Sequence, residues 1–175
     1  MVSFEEMTNI LQGESDRGAV LIAASTLELA LEELLKARLV DSPNRKDVIF
    51  EHNGPLGTFS SKIHLSYRIG LISKQQMRMF NTFREIRNIF AHSSSSLTLE
   101  APQIRDKLNA AVEHNPRLRD LYLDALNQHV ESGEFSKDFA DRALSSPRKV
   151  LEKVFVLEIT SVHSSIQNVT KIIEV

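Results

Sequence analysis

The segment from Gly18 to Leu39 constrains the fold more than any other part of the chain. It is rich in alanine and leucine, and Val20, Ala23, Ala24, Leu27, Leu31, Leu34 and Leu35 recur at helical spacing on one face. Glu28, Glu32, Glu33, Lys36 and Arg38 interrupt the run. A bilayer span needs about 20 mainly apolar residues, so this is a buried amphipathic helix and not a membrane segment. A helix that is apolar over so much of its length must be surrounded by other elements. Ser15 or Asp16 is placed to cap its N-terminus.

The rest of the chain reads in the same period. A short helix is expected from Phe4 to Leu11, stopped at Gly13. Asp41-Ser42-Pro43-Asn44 is a break, and Asn53-Gly54-Pro55-Leu56-Gly57 is a tight turn. Thr58 or Ser60 can cap a helix running to Ile69, and Gly70 ends it. Ser73 caps the next helix, 73–91. Four serines, Ser93 to Ser96, form a polar loop. Helices are expected at 102–113 and 116–131, each introduced by proline, with a small helical piece at 136–144. The last helix opens at Ser146-Pro147 and presents Leu151, Phe155, Val162, Ile166, Val169 and Ile173, although its valine- and isoleucine-rich end also suits a strand. There is no internal repeat and no linker long enough to mark a second domain. The expected fold is all-α, a single-domain helical bundle spanning residues 1–175.

Composition fits a globular chain: 42% hydrophobic and 25% charged residues over 175 positions, enough to bury a core without staples. With no cysteine, disulfides and thiolate metal sites are excluded, and a reducing compartment suits the chain. The acidic, polar opening does not resemble a secretory signal, and a cytoplasmic location is expected. Net charge is −2, but residues 61–92 carry six Lys or Arg against Glu85 alone, while the flanks are acidic. Lys62, Arg68, Lys74, Arg78, Arg84 and Arg87 can form a local anion-binding stripe, or a solvated face answered by acidic neighbours.

Chemistry concentrates at the end of the helix 73–91. Met79 or Phe80, Phe83, Ile86 and Phe90 step by three or four residues and form its buried face. Arg84, Asn88 and His92 follow one another at four-residue spacing along a polar edge, with Arg87 beside them. Histidine exchanges a proton near neutral pH. Arginine holds two phosphate oxygens through parallel hydrogen bonds. Together they suffice for cleaving RNA by its own 2′-hydroxyl without a metal or cofactor. The competing reading is a helix C-terminus in which Arg and His complement the dipole and Asn88 faces water.

Arg87-Asn88-Ile89-Phe90-Ala91-His92, late in an amphipathic helix, resembles the Arg-x(4–6)-His signature of the HEPN superfamily. The chain is also similar to proteins grouped with the mannitol operon repressor, through Glu14-Ser15-Asp16-Arg17-Gly18 with the alanine-leucine helix, Gly54-Pro55-Leu56-Gly57, and Lys62 through Gly70-Leu71-Ile72. These likenesses cover residues 13–110, with 111–175 as additional helices. The first implies an RNA-binding, metal-independent endoribonuclease of toxin or defence type, with two Arg/His pairs lining one cleft of a homodimer and an antitoxin as a further partner. Arg87 and His92 would be catalytic, and Asn88 and Arg84 would contact substrate. The second implies a transcriptional regulator without a DNA-reading motif, acting through protein contacts. HEPN toxins modified by a partner nucleotidyltransferase have Tyr two residues after the His. Here that position is Ser94, which speaks against the modification.

Asp16 and Arg17 are further substrate-binding candidates, with helix capping as their alternative. His52 and His64 lack the spacing of a zinc site. His114, His129 and His163 are scattered. Gly54-Pro55-Leu56-Gly57 lacks the Gly-Lys-Ser/Thr of a phosphate loop. No nucleophile elbow, dinucleotide fingerprint or helix-turn-helix is present.

Overall fold

The computed structural model describes residues 4–93, 97–113 and 146–173, and between the last two 120, 124, 127, 128, 130–133 and 136. Six helices, α1 (Phe4–Gln12), α2 (Asp16–Arg38), α3 (Phe59–Arg68), α4 (Lys74–His92), α5 (Pro102–Glu113) and α6 (Pro147–Asn168), make an all-α architecture with no strand among the described residues. None of these helices is long and apolar enough to cross a membrane. The helices expected at 116–131 and 136–144 lie mainly outside the described residues.

α2 is the axis. It packs against α1, α3, α4 and α6. Its alanines explain how: Ala19, Ala23, Ala24 and Ala30 are buried and let neighbours approach, while Leu27, Leu31 and Leu34 are fully enclosed. Full burial of one leucine contributes about 1.5–3 kcal/mol, so this stripe alone anchors the fold. Phe80 and Phe90 of α4 and Phe155 of α6 complete the core. Phe83 and Phe155 meet edge to face at 6.5 Å and 76°, the geometry that sets a ring edge against a ring face.

Caps define the element ends. Ser15 accepts from Gly18 N, and Ser146 accepts from Lys149 N just before Pro147. Thr58 with Ser61, and Ser73 with Gln76, form reciprocal capping boxes. α3 ends on Gly70 at φ +74°, with Leu71 N donating to Ser66 O at 2.8 Å, the bond that closes such a glycine-ended helix.

Residues 47–57 fold back on themselves. Gly54 N donates to Glu51 O, Leu56 N to Ile49 O and Gly57 N to Gly54 O. A Cβ on Gly57 would stand 2.3 Å from Glu51 O, so only glycine fits. The turn delivers Leu56 to a small second cluster with Leu35 and Phe50.

The structure bears on two sequence expectations. Of the two readings of the basic residues, Lys62 follows the one in which acids answer them, but buried: it is 4% exposed, with Nζ 2.8 Å from Glu32 and 3.2 Å from Glu28 of α2. Lys36 also pairs with Glu32 at 2.5 Å and lies 5.0 Å above the Phe50 ring. The last helix ends at Asn168, so Val169 and Ile173 are off its face, and Ile173 is 83% exposed. Beta-branched Val169, Thr170 and Ile172 favour extended backbone, and Ile172 N donates to Arg38 O, the end of α2.

Burial pushes the Glu32 carboxyl up, but hydrogen bonds from Lys36 and Lys62 more than offset it and hold it below the ordinary carboxylate value. A depressed carboxylate stabilises the fold above its unfolded value and loses that contribution as pH falls through its folded value. Glu32→Gln is therefore expected to destabilise the protein at neutral pH by about 1–2 kcal/mol. The cost stays short of the roughly 3–5 kcal/mol of an orphaned buried charge because Glu28 remains. The gap between variant and wild type should shrink in thermal melts below pH 4. An unchanged gap would remove the clamp from the account.

Candidate functional site

The site is the last turn and a half of α4 and what surrounds it. Phe83, Ile86 and Phe90 are buried and fix the helix rotation. That rotation leaves Arg84, Arg87 and Asn88 half-buried and His92 exposed. Arg87 Nη1 donates to Asn88 Oδ1 at 3.1 Å, so the amide holds the guanidinium. Arg84 is enclosed to the extent that its Nε is shut off from solvent with no hydrogen-bond partner among the described residues. A buried unpaired donor is costly, about 1–3 kcal/mol, and this one lies one turn before Asn88.

Helix geometry decides how these groups can act together. At about 100° per residue, Arg87 and His92 stand roughly 140° apart around the axis. Asn88 lies between them, on the His92 side. Arg84, Asn88 and His92 drift by about 40° per step and form one edge, as the spacing implies. Arg87 and His92 thus flank Asn88 and are not stacked on one stripe.

The end of α4 is held from outside. Arg17, early in α2, donates from Nη2 to the Ser93 carbonyl at 2.6 Å, supplying a cation to a helix C-terminus. Asp16 accepts from Leu99 N at 2.8 Å through Oδ2 and from Arg148 Nη1 at 2.8 Å through Oδ1. Both residues, expected as substrate contacts, hold the segment that follows His92, and both are half-buried.

Arg148 was invisible to sequence reasoning. It sits in the first turn of α6 and donates to Glu152 at 2.6 Å, to Glu14 O at 2.9 Å and to Leu11 O, besides Asp16. Burial pulls its guanidinium down, but the hydrogen bonds to the Glu152 and Asp16 carboxylates more than offset this and hold it above the ordinary arginine value. No local pattern could reveal a contact that joins residues 16 and 148.

His52 and His64 are exposed and His163 is half-buried. His114 and His129 lie outside the described residues. Among the described residues no three His, Asp or Glu side chains come together as a metal-binding group.

Arg148→Met keeps length and removes the fork, leaving the Glu152 carboxylate, itself 3% exposed, with Lys149 alone. The expected cost is about 3 kcal/mol in denaturant unfolding, as for a stripped buried ion pair. The Leu99 amide should also exchange faster with solvent, and a variant as stable as wild type would refute the hub. Comparison of the chain with protein-family models, curated proteins and solved structures finds no match.

Proposed function

We propose that this chain is an RNA-binding protein of HEPN type that cuts RNA without a metal, with Arg87 and His92 as catalytic residues of a homodimer. The observation that carries the reading is the Arg87–Asn88 hydrogen bond beside an exposed His92 at the tethered end of α4. A preorganised guanidinium and a solvent-facing imidazole at one helix end are groups that phosphodiester transesterification uses.

The reaction follows from those groups. The 2′-oxygen attacks phosphorus as His92 takes its proton, and the bond from phosphorus to the 5′-oxygen breaks. The products are a 2′,3′-cyclic phosphate and a 5′-hydroxyl, the latter protonated by a second imidazole. Arg87 neutralises the charge that builds on the non-bridging oxygens, and Arg84 adds positive field. A separation of roughly 140° between Arg87 and His92 on one helix favours two copies, each completing the other's site. A toxin or defence role, with an antitoxin as protein partner, fits such an activity.

A second reading, a regulator similar to the mannitol-repressor group and acting through protein contacts, draws on Leu29. It is 61% exposed on α2, on a face that also carries Glu33. It predicts binding of a protein and no cleavage.

Cleavage of cellular RNA in EDTA separates the two. Wild type is expected to cut. His92→Ala should lose about 100- to 10,000-fold, the usual worth of a general acid or base, while its melting shifts by less than about 1 kcal/mol because the side chain is exposed. Arg87→Lys keeps the charge but not the two-pronged geometry, and should be nearly as damaging. A role confined to the helix dipole would leave Arg87→Lys fully active. No cleavage by wild type would put the regulator reading first. In sedimentation, wild type should run as a dimer at micromolar concentration, and a monomer would remove the shared site.

A further inference from the structure

α4 and α5 enclose an open groove of about 410 Å3, at the small end of the roughly 300–1,000 Å3 typical of small-molecule sites. Its lining is mixed in a specific way. Arg78 and Lys107 stand at the rim, Gln75 and Thr82 contribute an amide and a hydroxyl, and Met79 and Ala111 form an apolar floor. Arg78 is exposed and makes no ion pair among the described residues, and one turn earlier Lys74 is also exposed. Lys107 pairs with Glu85 at 2.7 Å, so the one acid on this side of α4 is already answered.

Position along the helix gives the groove its meaning. Lys74, Arg78, Glu85 and His92 are four, seven and seven residues apart, which keeps them within about 40° on one outward stripe of α4. Arg78 to His92 is about 21 Å along that stripe at 1.5 Å per residue, a run that several nucleotides of an extended strand can follow. With Glu85 neutralised, the stripe is positive at its start and ends on the exposed imidazole.

We propose that the α4–α5 groove binds one phosphorylated nucleoside unit, a site that rests on the RNA-directed reading of His92 and extends it. Arg78 holds the phosphate oxygens, while Lys107 stays on Glu85. The base lies on the Met79–Ala111 floor, where a flat ring gains contact without regard to sequence. Gln75 and Thr82 meet its polar edge or its sugar. The unit is either part of a strand that passes His92 or a free nucleotide, since both present the same phosphate and base.

The test is equilibrium binding to the full-length protein of a short 5′-fluorescein-labelled oligonucleotide with 2′-O-methyl sugars. Having no 2′-hydroxyl, it cannot be cut by the proposed chemistry, so the outcome is independent of whether the protein cleaves. Loss of one phosphate contact on a single strand changes the salt slope by about 0.7, which is about fivefold in affinity at 0.1 M salt. Arg78→Gln is expected to show both effects. Ala110→Phe, at an exposed groove-lining position, fills the space without changing charge and should weaken binding comparably. Arg45→Gln removes an exposed cation outside the groove and should bind as wild type does. Melting curves check that each variant is folded.

A competition arm with uridine 5′-monophosphate separates the sources. Displacement at wild-type groove affinity supports the free nucleotide, and failure to displace an Arg78-dependent oligonucleotide supports the strand. The proposal is overturned if wild type binds neither probe, if Arg78→Gln and Ala110→Phe both bind like wild type, or if Arg45→Gln loses as much as Arg78→Gln.

Discussion

The Arg148 guanidinium is the constraint on which the site's surroundings depend. Within its hydrogen-bond reach lie the carbonyls of Leu11 and Glu14, the Asp16 carboxylate and Glu152. Those are the end of α1, the connection between α1 and α2, the start of α2 and the second turn of α6. Asp16 in turn holds the Leu99 amide, beyond the four serines in sequence. A planar cation with five donors suits this task, because its fork meets several acceptors at fixed angles where an ammonium would meet them singly. Coulomb attraction alone would leave the neighbouring segments free to slide. Directional donors fix them.

The second constraint is the slenderness of α2. Four buried alanines bring α3, α4 and α6 close to its axis, so large side chains can fill the space beyond them: Phe80 and Phe90 on α4, Phe155 on α6. Close approach also explains why charge survives inside. Lys62 reaches Glu28 and Glu32 across the short α2–α3 distance and pairs with both. At the other end of α2 the same proximity lets Arg17 reach the Ser93 carbonyl and close the end of α4. One helix thus holds the C-terminal end of α4 at one of its ends and a buried ion cluster toward the other.

The parts of this structure governed by short-range rules were legible in the sequence. Ser15, Thr58, Ser73 and Ser146 cap helices because a side-chain oxygen needs only the amide three residues on. The Phe83–Ile86–Phe90 face and the Gly54–Gly57 turn follow from local periodicity and local sterics. What escaped was long-range. Which acids answer Lys62 is hidden until α2 and α3 are side by side. The hydrogen bonds from Arg17 to the Ser93 carbonyl and from the Leu99 amide to Asp16 span 76 and 83 residues. Ile173 has helical spacing from Ile166 and Val169, but its backbone is claimed by an extended segment bonded to Arg38. Within the site, the four-residue spacing of Arg84, Asn88 and His92 was readable, whereas the hydrogen bond that fixes Arg87 on Asn88 is a matter of rotamer and not of pattern.

The Arg148–Asp16 bond also bears on the order in which the molecule is made. Its partners are separated by 132 residues, and α6 packs on α1 and α2 from the far end of the chain. Contacts of high sequence separation form late, after the local helix pairs α2–α3 and α3–α4. During synthesis from the N-terminus, His92 is complete as a residue long before position 148 exists. Until α6 docks, Asp16 lacks its cation and the carbonyls of Leu11 and Glu14 lack their donor. The anchor of Leu99 on Asp16, in the segment after α4, is therefore completed only when α6 has emerged. The surroundings of the imidazole are finished last, although the imidazole itself is encoded in the middle.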